Sequence, residues 1–126
     1  MRTLEHVRQD KKKRIALETL EIYAPLANRL GIGQIKGELE DLAFPYVYPK
    51  ECCETKELLK QKSTKNQKYL EKIHRTLQKE LAIANIKPIE TDYRMKHLYS
   101  LYKKLQRYDM DIDKIHDIAA LRIVVP

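Results

Sequence analysis

The chain has 126 residues, 43% hydrophobic and 34% charged, with three glycines and five prolines, a mixture that excludes a disordered chain, leaves few loops, and fits one modest domain or parts of two rich in helix. Its net charge of +7 suits polyanions such as nucleotides, RNA or ribosomal surfaces, or simply keeps Lys-rich helices in solution. No run approaches the ~18 consecutive apolar residues of a membrane helix, and Met1–His6 has no apolar signal core, so no membrane partner and a cytoplasmic location are expected.

From Lys11 to Leu30 the residues Ala16, Leu20, Tyr23, Ala27 and Leu30 recur at steps of four and three, one stripe along a helix. Pro25 interrupts it, predicting a kink or two helices meeting near Ala24, with Gly31 as the closing glycine. Gly31 and Gly33 are too close together for a dinucleotide fingerprint and read as a helix stop. Gln34–Phe44 reads as the next helix, with Ile35, Leu39, Leu42 and Ala43 inward and Pro45 and Pro49 ending it.

Glu51–Lys62 predicts a short helix, and Ser63-Thr64 an N-cap for another. Cys52 and Cys53 are adjacent, a spacing that neither bridges easily nor supplies a tetrahedral metal site, so both are expected as free thiols. Tyr69 or Leu70, Ile73, Leu77 and Leu81 then mark a long amphipathic helix to about Asn85. Its other face carries Lys60, Lys62, Lys65, Lys68, Lys72, Arg75 and Lys79, readable as an RNA-binding stripe or as a solvated face.

At Ile86 the character changes. Ile86, Pro88-Ile89 and Thr91 suggest a strand, Met95–Gln106 a helix, and Ala119–Val125 a buried strand, an α/β beginning after an all-helical first part. The pattern shows no partner for that last strand, an ending expected of a fragment.

Chemistry concentrates between Thr91 and Val125. Lys96, Ser100 and Lys104 are spaced i, i+4, i+8 and are expected on one helical face, with Arg94 just before it. Two ammonium groups, a hydroxyl and a helix N-terminus are suitable equipment for a row of phosphates, and an arginine can stack on a base. Asp117, immediately before the terminal strand, is placed to hold Mg²⁺. Asp109, Asp111 and Asp113 read as turn and capping residues, since neither a glycine nor a distal glutamate completes a calcium loop. His6, His74 and His116 lack ligand spacing and read as surface or packing residues, whereas His97 lies inside the phosphate motif.

The run Ile15-Ala-Leu-Glu-Thr-Leu-Glu-Ile-Tyr-Ala-Pro-Leu-Ala-Asn-Arg-Leu-Gly-Ile, followed by Ile35-Lys-Gly-Glu-Leu-Glu-Asp-Leu-Ala-Phe, is very similar to the segment after the HD hydrolase motif of long RelA/SpoT homologues. Arg94-Met-Lys-His-Leu-Tyr-Ser-Leu-Tyr-Lys-Lys-Leu and Asp117-Ile-Ala-Ala-Leu-Arg-Ile-Val-Val resemble the opening of the synthetase domain of that family. The resemblance implies a mainly α fold, a helical bundle followed by the first α/β elements of an incomplete, nucleotidyltransferase-like synthetase domain. Residues 1–47 would close the HD hydrolase domain and form the inter-domain bundle, and residues 48–126 would begin the synthetase.

It further implies transfer of pyrophosphate from ATP to the 3′ oxygen of GDP or GTP, and often manganese-dependent hydrolysis of the (p)ppGpp product. Arg94 would flank the adenine, Lys96, Ser100 and Lys104 would hold ATP phosphates, Asp117 would bind Mg²⁺, and Arg122 would support the same pocket. Thr3 would line the rim of the hydrolase guanine pocket, with the Mn²⁺ ligands outside these residues, and the ribosome would be met through other regions. The family's usual glycine and proline around the arginine are Tyr93 and Met95 here, and its usual histidine in the Pro-Leu-Ala run is Asn28. The chain alone is expected to be inactive. The rival expectation is a non-catalytic helical module that binds RNA or the ribosome through its lysine face, and a third is a scaffold that binds no ligand. The stripe around Tyr23 and Leu30 is the expected coupling element between domains.

Overall fold

A computed structural model describes residues 1–126, apart from the side chain of Lys65. After a 3-10 turn at Leu4–His6, helix α1 spans Gln9–Glu18, a π-helical turn follows at Thr19–Tyr23, and α2 spans Ala24–Arg29. Pro25 explains the π turn. It has no N–H for the Glu21 carbonyl and its ring crowds that carbonyl, so the turn ahead of it widens and the Ala24 N–H bonds back five residues to Thr19. The extra residue advances the buried face to Ala16, Thr19, Ala24 and Ala27. The expected stripe therefore fails at Tyr23 and Leu30, which are 55% and 66% exposed. The two-helix reading near Ala24 holds, and Gly31 closes α2 at φ +74° with the paired bonds Ile32 N–H to Ala27 and Gly31 N–H to Asn28.

Helix α3 spans Gly33–Val47 and runs through Pro45 instead of ending there. Its buried side is Gly37, Glu40, Ala43, Phe44 and Val47; of the residues expected inward only Ala43 is buried, and Ile35 is exposed. Burying Phe44 and Val47, at about 1.5–3 kcal/mol each, outweighs a helical proline costing about 3 kcal/mol.

Pro49 opens α4, a single helix over Pro49–Ile83, about 52 Å long at 1.5 Å per residue. The expected break at Ser63-Thr64 is absent because neither hydroxyl caps a helix start. Each donates to a carbonyl three residues back, Ser63 to Lys60 and Thr64 to Gln61, and no proline or glycine interrupts the run. Leu70, Ile73, Leu77 and Leu81 are half-buried while Tyr69 is exposed, so Leu70 carries the stripe. On the basic face Lys68, Lys72, Arg75 and Lys79 are exposed. Lys62 instead turns inward, donating to the Ile112 and Ile115 carbonyls at 2.5 and 3.2 Å; the side chain of Lys65 lies outside the described residues.

Strand β1 spans Glu90–Met95, later than expected, and pairs antiparallel with β2, Ala119–Val124, in the register Asp92 to Arg122 and Arg94 to Ala120. The terminal strand thus has its partner in β1, which overlaps the expected strand at Thr91 and runs on through residues read as a link and a helix start. Tyr93 and Met95, where the resemblance departs, are strand residues opposite Leu121 and Ala119. Tyr93 packs on His74 of α4, ring centroids 5.5 Å apart. Strand β2 alternates, with Ala120 and Arg122 exposed between half-buried neighbours, the two-residue period of a sheet with one covered face, whereas in β1 every residue but Thr91 is exposed. Helix α5 spans Leu98–Arg107 rather than Met95–Gln106. The protein is therefore mainly helical with one small antiparallel sheet near its C-terminus. Among the described residues no helix is long and apolar enough to cross a membrane.

Candidate functional site

The site is organised by α5. One side of this helix buries Leu101 and Leu105 with Ile115 and Ile118, backed by Leu58 and Leu59 of α4. The other buries Tyr102 against Phe44 of α3 and Cys52 of α4, with Phe44 5.0 Å from Tyr102 and 5.2 Å from Tyr99 between ring centroids. Ile115 and Ile118, together with Lys62, fix the segment that carries Asp117. Asp111 accepts from the Asp113 N–H at 3.0 Å, and Asp109 and Met110 take positive φ, the turn chemistry expected of this acidic run. Cys52 and Cys53 are free thiols, and burial raises the pKa of Cys52.

Lys96 and Lys104 converge on one oxygen of Asp117. Lys96 Nζ donates at 2.9 Å and Lys104 Nζ at 2.5 Å, both to Oδ2. They reach it from different elements, which corrects the expected single helical face: Lys96 lies in the link between β1 and α5, where its N–H donates to the Ile118 carbonyl at 2.9 Å. Lys104 is inside α5, one turn after the half-buried Ser100. The hydrogen bonds from Lys104 and Lys96 hold the Asp117 carboxyl far below the usual carboxylate range, and the bond to Asp117 raises Lys104. Asp117 remains 54% exposed at its side chain, so two ammonium groups sit at the surface sharing one carboxylate. Among the described residues no three His, Cys, Asp or Glu side chains gather as a metal cluster. A lone carboxylate suits Mg²⁺ held mainly by phosphate oxygens and water rather than a protein cage.

Arg94 lies in β1, not before a helix, and Arg122 lies in β2. The register makes them diagonal neighbours on the exposed face, and Arg122 lies 3.8 Å from Glu90 and 3.9 Å from Asp92. Between α4 and the hairpin runs a groove of about 560 Å³ lined by Asn66, Leu70, Tyr93, Arg94, Met95 and Ala120 among others. Thr3 sits beside Leu4, which packs on Ala16, Ala43 and Val47, a cluster distinct from those of α5.

Sequence reasoning missed three residues of α3. Asp41 accepts from the Tyr99 N–H at 3.0 Å and from His97 Nδ1 at 2.8 Å. Gly37 lies under the His97 ring, where an added Cβ would overlap it. Glu40 is 3% exposed and meets Lys103 at 3.5 Å. More than fifty residues separate these partners in the chain, and the period of α3 marks Asp41 as an ordinary polar position.

A family profile described as "HD domain" matches residues 1–33, and one described as "Region found in RelA / SpoT proteins" matches residues 93–126, the span holding Arg94, Lys96, Ser100, Lys104, Asp117 and Arg122. The chain is 48% identical over 126 residues to a GTP pyrophosphokinase of Myxococcus xanthus, covering 100% of this chain and 16% of that protein. It is 43% identical to a guanosine-3′,5′-bis(diphosphate) 3′-pyrophosphohydrolase of Aquifex aeolicus, covering 99% of this chain and 18% of that protein. To the bifunctional (p)ppGpp synthase/hydrolase SpoT of Escherichia coli K12 it is 44% identical, again over 99% of this chain and 18% of the relative. The chain thus spans under a fifth of the length of these relatives.

Proposed function

We propose, for a chain that belongs to the RelA/SpoT family, that residues 94–122 are the ATP-side grip of a synthetase that transfers pyrophosphate from ATP to the 3′ oxygen of GDP or GTP. The observation that supports this most is the pair Lys96 and Lys104, brought from two elements onto Asp117. A nucleotide polyphosphate offers the lysines a stronger counter-charge than one exposed carboxylate does. As they turn to it, Asp117 is released to act as an ion ligand. Asp117 would then hold Mg²⁺, whose charge would offset negative charge in the transfer. Ser100 adds a hydroxyl beside Lys104, Arg94 would flank the adenine, and Arg122, its diagonal neighbour on the sheet, would support the same pocket.

In this reading residues 1–47 close an HD hydrolase domain and form the inter-domain helices, and residues 48–126 open a nucleotidyltransferase-like synthetase domain. Thr3 belongs to the rim of the hydrolase guanine pocket, whose Mn²⁺ is held by residues outside this chain. Ribosome contact belongs to other regions of the family's proteins.

Titration of the purified chain with ATP·Mg²⁺, followed through backbone resonances, tests the assignment. The largest shifts are expected at residues 94–104 and 117–122; an unchanged spectrum overturns it. No turnover of ATP plus GDP is expected from the chain alone, because Asp117 is the one carboxylate assigned to the ion and none of these residues is assigned to the guanosine nucleotide, and metal-dependent product formation would refute that. The exposed row Lys68, Lys72, Arg75 and Lys79 favours the rival RNA- or ribosome-binding module if salt-sensitive RNA binding declines evenly across their substitutions.

A further inference from the structure

The start of α5 determines where the phosphate grip stands, and that start is set from outside the helix. His97 occupies the N-cap position without a side-chain cap bond of its own. Asp41, in the middle of α3, performs the capping instead: Oδ1 accepts from the N–H of Tyr99, the second helical residue, and Oδ2 accepts from His97 Nδ1. An acidic oxygen at a helix start satisfies one of its free amides and favours the positive end of the dipole. Gly37, one turn earlier on α3, leaves the space that the imidazole fills. Lys96 is the residue just before His97, and Ser100 and Lys104 lie one and two turns into the helix.

Resting on the nucleotide reading above, we propose that Asp41 is a positioning residue for the phosphate grip. It touches neither lysine; it fixes the His97 junction and the first turn of α5, and thereby the separation of Lys96 from Lys104. The packing of Leu101, Leu105 and Tyr102 holds the body of α5 independently of this cap. Loss of the cap therefore loosens the first turn while leaving the helix docked. This places the mechanical link between the first helices and the grip on α3, not on the exposed stripe at Tyr23 and Leu30.

The test is ATP·Mg²⁺ affinity of the whole chain by calorimetry, with thermal unfolding alongside. Asp41→Ala is expected to weaken binding about tenfold, with resonance changes outside α3 confined to residues 96–100. Asp41→Asn keeps an oxygen for the Tyr99 N–H and an amide for the imidazole, and should recover affinity to within about threefold of the parent. Lys104→Ala, which leaves the cap intact, tests the nucleotide reading separately: if it leaves affinity unchanged, that reading fails whatever Asp41 does. If Lys104→Ala weakens binding but Asp41→Ala stays within twofold, or if Asp41→Asn is as damaged as Asp41→Ala, the positioning role is overturned. Should Asp41→Ala not fold, His97→Ala decides, a loss of threefold or more supporting the role and unchanged affinity ending it.

Discussion

Two aspartates bracket α5, and they are held in opposite ways. Asp41 is half-buried on α3 and binds directionally, to a backbone amide and an imidazole. Asp117 stands at the surface and binds two ammonium groups on flexible stems. The first contact satisfies groups that would otherwise lack partners at a helix start, so it fixes geometry. The second is exchangeable, because a stronger anion can take both lysines at the cost of an exposed pair. One side of α5 is therefore a mount, and the other, in the proposed reading, a site.

The largest expected effect is on the exchangeable side. The double substitution Lys96→Ala, Lys104→Ala should weaken ATP·Mg²⁺ binding by roughly a hundredfold or more, since charge-assisted hydrogen bonds to phosphate are lost. The unfolding midpoint should scarcely move, as expected for exposed ion pairs. A large fall in stability with retained binding would reverse the assignment of mount and site.

On the mount, Gly37→Ala should destabilise by about 2–3 kcal/mol in urea unfolding, because its Cβ would meet the His97 ring. Gly33→Ala is the control: a Cβ there meets open space, and the change should stay within about 0.5 kcal/mol. Equal behaviour of the two would mean that α5 is not seated on α3 through His97.

This asymmetry was only partly legible in the sequence. The helices other than the unbroken run of α4, the stop at Gly31, the turn at Asp111 and the last strand follow from local chemistry, and the motif spacing drew attention to Lys96, Lys104 and Asp117; Pro49, read as a stop, opens α4. Local patterns could not show that Pro25 shifts the buried face by one residue through a π turn, so Tyr23 read as inward. The i, i+4, i+8 spacing of Lys96, Ser100 and Lys104 imitates a helix face, although Lys96 follows a strand whose pairing with β2 is non-local. Asp41 was invisible for the same reason. Its partners lie 56 and 58 residues away, and a helical aspartate next to a glutamate reads as solvated surface.

A smaller effect distinguishes the buried charge of the mount. Glu40 is 3% exposed, its Oε2 has no hydrogen-bond partner, and Lys103 stands 3.5 Å from Oε1. Replacing a buried carboxylate by an apolar group of similar length removes its desolvation cost, and Lys103 can return to water. Glu40→Met should therefore raise stability by about 1 kcal/mol in urea unfolding. Lys103→Ala, which strands the carboxylate, should lower it by about 1–2 kcal/mol. A loss from Glu40→Met would mean that the ion pair itself secures α5.

The smallest effect is acid titration of Asp117, and its sign is fixed by the two lysines. Their hydrogen bonds depress the folded pKa below the ordinary 3.8, so the contribution of the pair is complete above the unfolded value and fades as pH falls toward the folded one. Lys104 shifts the other way: its share is present below the ordinary 10.5 and is lost only as pH rises through its elevated folded value. Between these limits the pair should leave stability flat. Exposure and salt keep its contribution at the low end for surface pairs, so the carboxyl resonance of Asp117 is a sharper measure than unfolding. Its midpoint should lie well under 3.8 and rise toward the ordinary range in Lys104→Ala. A midpoint already ordinary in the parent chain would mean that the lysines do not rest on Asp117 in solution, and that a phosphate need displace nothing to reach them.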